Sequence, residues 1–252
     1  MKTLIFLSDV HLTPADDRKF AFFDRFLRSL DRAEHEVYLL GDIFDYWIGA
    51  GHLELGEFDR VIRLFRQATR SGLSIAMIAG NRDYLICRRF EEATGIRFLG
   101  REAEVSIGGR RALLTHGDFL FNRNSRYLFY RACMESPPIR GTLTSLPPWA
   151  AKRVAGLFRL FLSEPRTARR RGRAYGQDME KGTLPSSVLQ AFEGGIDLLI
   201  CGHLHTPLTR RFDHRGVERQ LIVLGAWDDI PVYAECRDGV FALKRYSDCV
   251  VF

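Results

Sequence analysis

Seven residues spread along the chain carry the donor types of a metal-ligand set: Asp9 and His11 in S-D-V-H, Asp42 in G-D-I-F-D, Asn81 in G-N-R-D, His116 in H-G-D, and His203 with His205 in G-H-L-H. Imidazole, carboxylate and amide donors without a thiolate suit Mn²⁺, Fe²⁺ or Zn²⁺ better than an all-oxygen Mg²⁺ site. Two such ions roughly 3.5–4 Å apart acidify a shared water and bind phosphoryl oxygens together, as hydrolysis of a phosphate ester or anhydride requires. A bridging carboxylate is needed, and Asp42 is the natural bridge. Asp9, His11 and His205 then complete one shell, and Asn81, His116 and His203 the other.

Any one of these residues carries little weight. An Asp after a strand is usually a cap or turn residue, and a lone His usually lies on the surface or in a core. His203 and His205 say more, because alternate residues of an extended segment face one way. His35, His52 and His214 stand in polar, loop-like stretches and are assigned no ligand role. It is the joint occurrence of all seven that points to a two-metal hydrolase.

The ligand blocks stand at the C-terminal ends of apolar runs, where strands hand over to loops. Leu4–Leu7, Val37–Leu40 and Ser74–Ala79 read as buried strands. Between them, Phe20, Phe23, Phe26, Leu27 and Leu30, and then Val61, Leu64 and Phe65, recur at helical spacing. This β-α-β-α-β order predicts an α/β fold with a parallel sheet and right-handed crossovers. Ligands of such sheets bind at the carboxyl edge, where distant blocks converge. Val105–Ile107, Gly108–Gly109 and Ala112–Thr115 read as a hairpin feeding His116. Ser125 to Leu162 reads as helical, broken at Pro137–Pro138 and Pro147–Pro148, and Pro165 to Lys181 is rich in arginine. Asp197–Cys201 is a further buried strand, while Leu221–Leu224 and Val240–Leu243 read as strands of a second, antiparallel sheet.

The chain's 252 residues fit one domain over 1–252 with an insertion. Hydrophobic residues form 46% and charged residues 27%, the balance of an ordinary globular protein. No apolar run is long enough to span a bilayer. Met1 to Thr3 lead into the first strand without a signal-peptide pattern, so a cytoplasmic protein is expected. The five cysteines are scattered without zinc or redox spacing and are expected to be free thiols, with Cys201 a small core residue. A net charge of +6 favours anionic partners.

The order D-x-H, G-D-x-x-D, G-N-x-D, H-G, G-H-x-H resembles the calcineurin-like metallophosphoesterases from Leu4 to about Trp227. The resemblance implies a two-sheet α/β sandwich flanked by helices and holding two divalent ions, Mn²⁺ foremost, with Fe²⁺ or Zn²⁺ compatible. G-D-I-F-D-Y-W-I-G, G-N-R-D-Y-L and V-L-G-A-W resemble in particular the UDP-2,3-diacylglucosamine diphosphatases of lipid A biosynthesis. Many calcineurin-like enzymes have a proton-donating His after the Asn of G-N-x-D, where this chain has Arg82. Arginine is no proton donor at neutral pH but clamps phosphate in bidentate fashion. A departing phosphate monoester needs little protonation.

On this resemblance the chain cleaves UDP-2,3-diacylglucosamine to UMP and 2,3-diacylglucosamine 1-phosphate, acting at the cytoplasmic face of the inner membrane as a peripheral protein. Asp42, Asn81, Arg82 and Asp83 carry the chemistry, with Asp83 orienting the ligands, while Asn81, Arg82, Asn124, Tyr127 and His203 contact the acylated UDP-sugar. A helical insertion over about 125–181 caps the site. The family usually carries acidic residues where Asn122, Arg123 and Asn124 stand here, so the sugar contacts differ in charge. The alternative substrate is another nucleotide-linked or phosphorylated metabolite. Arg166, Arg169, Arg170, Arg171 and Arg173 raise the possibility of nucleic acid, but Tyr175 is the one nearby aromatic and no nucleic-acid partner is expected.

Overall fold

In a computed structural model, the apolar runs that precede the ligand blocks are strands β1 (Thr3–Leu7), β2 (His35–Leu40), β3 (Ser74–Ile78), β6 (Arg110–Thr115) and β7 (Leu198–Cys201). The structure describes residues 2–122, 125–162, 175, 177–179, 181, 183–228 and 230–247, the side chains of 126 and 159–162 excepted. Asn124 and the Arg166–Arg173 cluster lie outside the described residues.

β1, β2 and β3 pair in parallel, and a short β4 (Arg97–Phe98) extends them. Helices α1 (Asp17–Ser29) and α3 (Asp59–Arg70) supply the crossovers. Alternation along β1 sends Ile5 and Leu7 toward these helices, where they pack with Phe23, Phe26, Leu64 and Phe65, and sends Phe6 to the opposite face. There Phe6, Tyr38, Leu40 and Ile78 meet Leu114, Leu198, Ile200 and Ile222 of a second sheet. The outer face of that sheet is covered by α9 (Ser186–Glu193), through Val188 and Phe192 against Leu199, Cys201 and Val223. The two-sheet α/β sandwich flanked by helices is therefore the fold.

The second sheet, in the order β5-β6-β7-β9-β8, departs from the antiparallel expectation. β9 (Val217–Val223) runs parallel to β7, and only the outer pairs, β5 (Glu102–Ile107) with β6 and β8 (Leu208–His214) with β9, are antiparallel. Val240–Leu243 falls in β11 (Val240–Arg245), which belongs to the first sheet. The reason is β10 (Val232–Arg237), a strand the sequence reading missed. It pairs antiparallel with β1 and turns back into β11 through Asp238–Gly239, both at positive φ, a turn that matches strand twist.

Three helices lie over one side of the carboxyl edge: α6 (Ser125–Glu135), α7 (Pro137–Thr144) and α8 (Pro148–Leu162). Tyr127, Tyr130, Met134, Ala151 and Ala155 form a separate small core with Tyr46, Ile48, Tyr84 and Leu85, which follow the Asp42 and Asn81 blocks directly. The approach is close. Ala50 N–H donates to the Thr144 carbonyl at 3.2 Å, and a Cβ on Gly49 would overlap the Thr144 backbone. His52, expected in a polar loop, is instead buried in α2 (Gly51–Glu54), with its ring 5.5 Å from that of Trp47.

Candidate active site

Five of the seven ligand candidates, Asp9, His11, Asp42, His203 and His205, have positive φ between 51° and 70°. A left-handed backbone costs a non-glycine residue about 1 kcal/mol, tolerated most readily by short polar side chains. These residues leave their strands by a sharp reversal that aims successive side chains at one spot. Backbone bonds knit the loops together: Asp9 N–H donates to the Gly41 carbonyl at 3.1 Å and His11 N–H to the Asp42 carbonyl at 2.9 Å. Glycines make room for this. A Cβ on Gly80 would overlap Asp42, and one on Gly202 would overlap Ser8 and Asp9.

Asp83 is fully buried and accepts from the backbone N–H groups of Gly80 at 2.7 Å, Ile43 at 2.8 Å and Asp42 at 3.2 Å. It clips the Asp42 and Asn81 loops together and reaches the site through backbone rather than through a ligand side chain. Burial raises its carboxyl pKa, against the effect of these hydrogen bonds.

Ligand atoms of Asp9, His11 and His205 lie within 4.8 Å of one another, and so do those of Asp9, Asp42 and His116. Asp9 is thus shared by the two groups, and Asp42 Oδ2 stands between them, 3.6 Å from His116 Nε2 and 4.0 Å from His11 Nδ1. Asn81 Oδ1 lies 3.1 Å from His116 Nε2. His203 is beside His116, with ring centroids 5.2 Å apart, and its backbone N–H donates to Asp9 Oδ2 at 2.9 Å. Of the sequence-assigned substrate contacts, Tyr127 has its hydroxyl hydrogen-bonded to Asp118, and Asn81 accepts at its carbonyl from the Tyr130 hydroxyl, a residue outside that set, at 3.4 Å.

The donor set fits divalent cations. His116 Nδ1 lies 2.9 Å from the Leu40 carbonyl; an N–H donated there leaves the Nε2 lone pair facing Asn81 Oδ1 and Asp42 Oδ2. His11 Nε2 and His205 Nε2 are 3.3 Å apart. His11 Nδ1 is buried without a hydrogen-bond partner among the described residues, and Asp9 Oδ1 faces His205 Nε2 at 3.2 Å. Acceptors facing acceptors in a buried pocket need protons or metal ions between them.

The protonation balance says the same. Burial pushes the Asp42 carboxyl up to about 7, with His116 opposing. Burial alone would lower His116, but Asp42 and Asp9 raise it to about 9. Burial would likewise raise Asp9, yet His205, then His116 and His11, hold it well below the usual carboxylate range.

Two residues that received no role from the sequence complete the surroundings. Asp45, the last residue of G-D-I-F-D, accepts from Arg82 Nη1 at 2.9 Å. Its signal was its position three residues after Asp42. Asp118 of H-G-D is buried near His116 and His203, which pull its carboxyl pKa down against burial together with Arg101.

Comparison with known proteins agrees with this geometry. The chain belongs to the calcineurin-like phosphoesterase family, whose pattern matches residues 2–207. It is a metal-dependent hydrolase of that family, and divalent ions are the cofactors the family implies. Within the family it is similar to the UDP-2,3-diacylglucosamine hydrolase of Vibrio cholerae serotype O1, at 33% identity over 93% of this chain and 98% of that one. The Chromohalobacter salexigens protein of the same name is 32% identical over 89% of each chain.

Proposed function

We propose that this chain hydrolyses the pyrophosphate bond of UDP-2,3-diacylglucosamine, giving UMP and 2,3-diacylglucosamine 1-phosphate. The observation that carries the reading is Arg82, held at the site between Asp45 and Asp42, with its Nε 3.6 Å from Asp42 Oδ2. Asp9, His11, Asp42, Asn81, His116, His203 and His205 would hold two divalent ions, Mn²⁺ foremost. When bound, the ions supply positive charge at the phosphoryl oxygens and acidity to an attacking water.

The chain's own groups do the rest. Asp45 fixes one edge of the Arg82 guanidinium, so its remaining N–H donors are aligned before substrate arrives and hold the phosphoryl oxygens in place. Asp83 keeps the Asp42 and Asn81 loops in register. The water oxygen bonds to the α-phosphorus and gives up a proton to solvent as the bond to the bridging oxygen breaks, the electron pair leaving with the sugar 1-phosphate. The leaving group is a phosphate monoester whose last pKa is about 6, so its departure needs no strong acid, and arginine suits this position. Asn81, Arg82, Asn124, Tyr127 and His203 form the substrate contacts in this reading.

Attachment to the cytoplasmic face of the inner membrane is part of the proposal. Among the described residues no helix is long and apolar enough to cross a membrane. On α8, Trp149 and Leu157 are 65% and 66% exposed, with Lys152 and Arg153 on the same side, a pattern suited to an anionic lipid surface.

Release of UMP from the acylated UDP-sugar by purified protein with added Mn²⁺, and its loss with chelator, tests the reading. Equal turnover of UDP-sugars without acyl chains would overturn the lipid specificity. Activity restored by Zn²⁺ or Fe²⁺ but not Mn²⁺ would overturn the choice of ion. Sedimentation with anionic vesicles, reduced by Trp149→Ser with Leu157→Ser, tests the membrane contact; sedimentation unchanged by both substitutions would overturn it.

A further inference from the structure

Arg101 stands just before β5, away from every ligand block, yet its side chain is only 18% exposed. Three elements meet at its guanidinium. Nη2 lies 3.3 Å from Asp118 Oδ2 in the His116 loop, and Nη1 is hydrogen-bonded to Glu135 at the C-terminal end of α6. The guanidinium carbon stands 3.9 Å from the centroid of the Tyr84 ring, in the loop that carries Asn81 and Arg82. Asp118 in turn accepts from the Tyr127 hydroxyl at the N-terminal end of α6. Arg131, one turn before Glu135, donates to the same carboxylate at 2.9 Å. Arg101 therefore holds α6 directly at Glu135 and, through Asp118, at Tyr127, and stacks on the loop beneath it. The combination of two carboxylates and an aromatic face suits arginine and not lysine.

We propose that Arg101 is a positioning residue. It docks α6, and Tyr127 with it, against the loops bearing Asn81, Arg82 and His116, and so sets affinity for the sugar-lipid portion of the substrate rather than the rate of P–O cleavage. The inference rests on the function proposed above. An ion pair that served folding alone would leave KM unchanged once the protein had folded.

The test compares wild type with Arg101→Gln, Arg101→Lys and Glu135→Gln. For the acylated UDP-sugar, Arg101→Gln is expected to raise KM about tenfold or more with kcat within about twofold, the loss of a charge-assisted contact. Arg101→Lys, lacking the fork and the planar stack, raises KM as well. Mn²⁺ affinity measured by calorimetry stays at the wild-type value. An unchanged KM, or a fall in kcat or Mn²⁺ affinity as large as the KM effect, overturns the proposal. Glu135→Gln leaves Asp118 and Tyr84 in place and keeps the test available if the Arg101 variants fold poorly; it should raise KM several-fold, and no change counts against the proposal. Amide hydrogen exchange over residues 125–135 should speed up in Arg101→Gln without any substrate present. If wild type releases no UMP, the proposed function fails; exchange then decides the docking role separately, and unchanged exchange overturns it.

Discussion

Asp45 and Arg82 form a hydrogen-bonded ion pair of 2.9 Å between two side chains that are 15% and 16% exposed. Pre-alignment of a guanidinium in this way removes rotamer freedom that a phosphate ligand would otherwise have to restrict. Asp45→Asn keeps the shape and weakens the charge-assisted bond. Steady-state kinetics should show kcat/KM falling about tenfold, and Arg82→Lys should cost about a hundredfold because an ammonium cannot bind phosphate bidentately. Wild-type kinetics in both variants would remove Arg82 from the reaction.

Asp42→Ala should abolish hydrolysis while the chain still folds. Burial beside Asp83 and Asp9 already makes the ionised Asp42 carboxylate unfavourable without metal, as its pKa of about 7 reflects. Thermal melts in chelator should therefore show a Tm no lower than wild type. Added Mn²⁺ should raise the wild-type Tm by mass action and leave the variant unchanged. Turnover retained by the variant would refute Asp42 as a metal ligand.

The metal-free protein should become less stable as pH rises. Asp42 is raised from 3.8 to about 7 and His116 from 6.5 to about 9, so the folded state holds protons that the unfolded chain releases. The stability tied to these protons is complete below the unfolded values and is lost as pH climbs through the folded ones. Asp9 and Asp118, lowered instead, act only in the acid range below the ordinary carboxylate value. Urea unfolding in chelator should show a drop of order a few kcal/mol from about pH 6 to 9, while saturating Mn²⁺ reverses the slope because its ligands must be deprotonated. A chelated protein that gains stability over this range would contradict the assignment.

Gly202→Ala places a methyl group against Ser8 and Asp9 Oδ2 in a buried corner. Relief requires the Asp9 and His203 loops to part, at a cost of about 1–3 kcal/mol for overpacking. Calorimetry should show Mn²⁺ affinity falling at least tenfold. Gly202 is not at positive φ, so the effect is steric; Gly156→Ala, also without positive φ and with nothing within 4 Å of the added Cβ, is the control and should leave Mn²⁺ affinity unchanged.

How much of this was legible in the sequence follows from the range of the interactions involved. Asp9, Asp42, Asn81, His116 and His203 were found because each follows a short buried strand, and hydrophobic periodicity is a local signal. The pairing of β11 was not local. Val240–Leu243 alternates like any edge strand, and its place depended on β10, whose Ala234 and Cys236 pack between the sheets in a pattern too short to stand out. His52 looked polar because its neighbours in sequence include Gly51 and Glu54, while the Trp47 and Phe58 rings that bury it come from the fold. Asp45 was visible in its motif without a role, because the role is a contact with Arg82, thirty-seven positions away. Arg101 gave no signal at all: its partners lie in three separate segments.

The small aromatic core under α6 and α8 draws Tyr46 and Ile48 from one ligand loop and Tyr84 and Leu85 from the other. Asp42 is four residues from the first of these and Asn81 three from Tyr84, too short a stretch of chain to absorb a shift. Repacking the helical cover is therefore felt at the candidate metal ligands. A lineage that altered the cover to admit a different guest would have to retune the ligand geometry in the same step, so the two halves of the molecule are expected to drift together rather than as exchangeable modules.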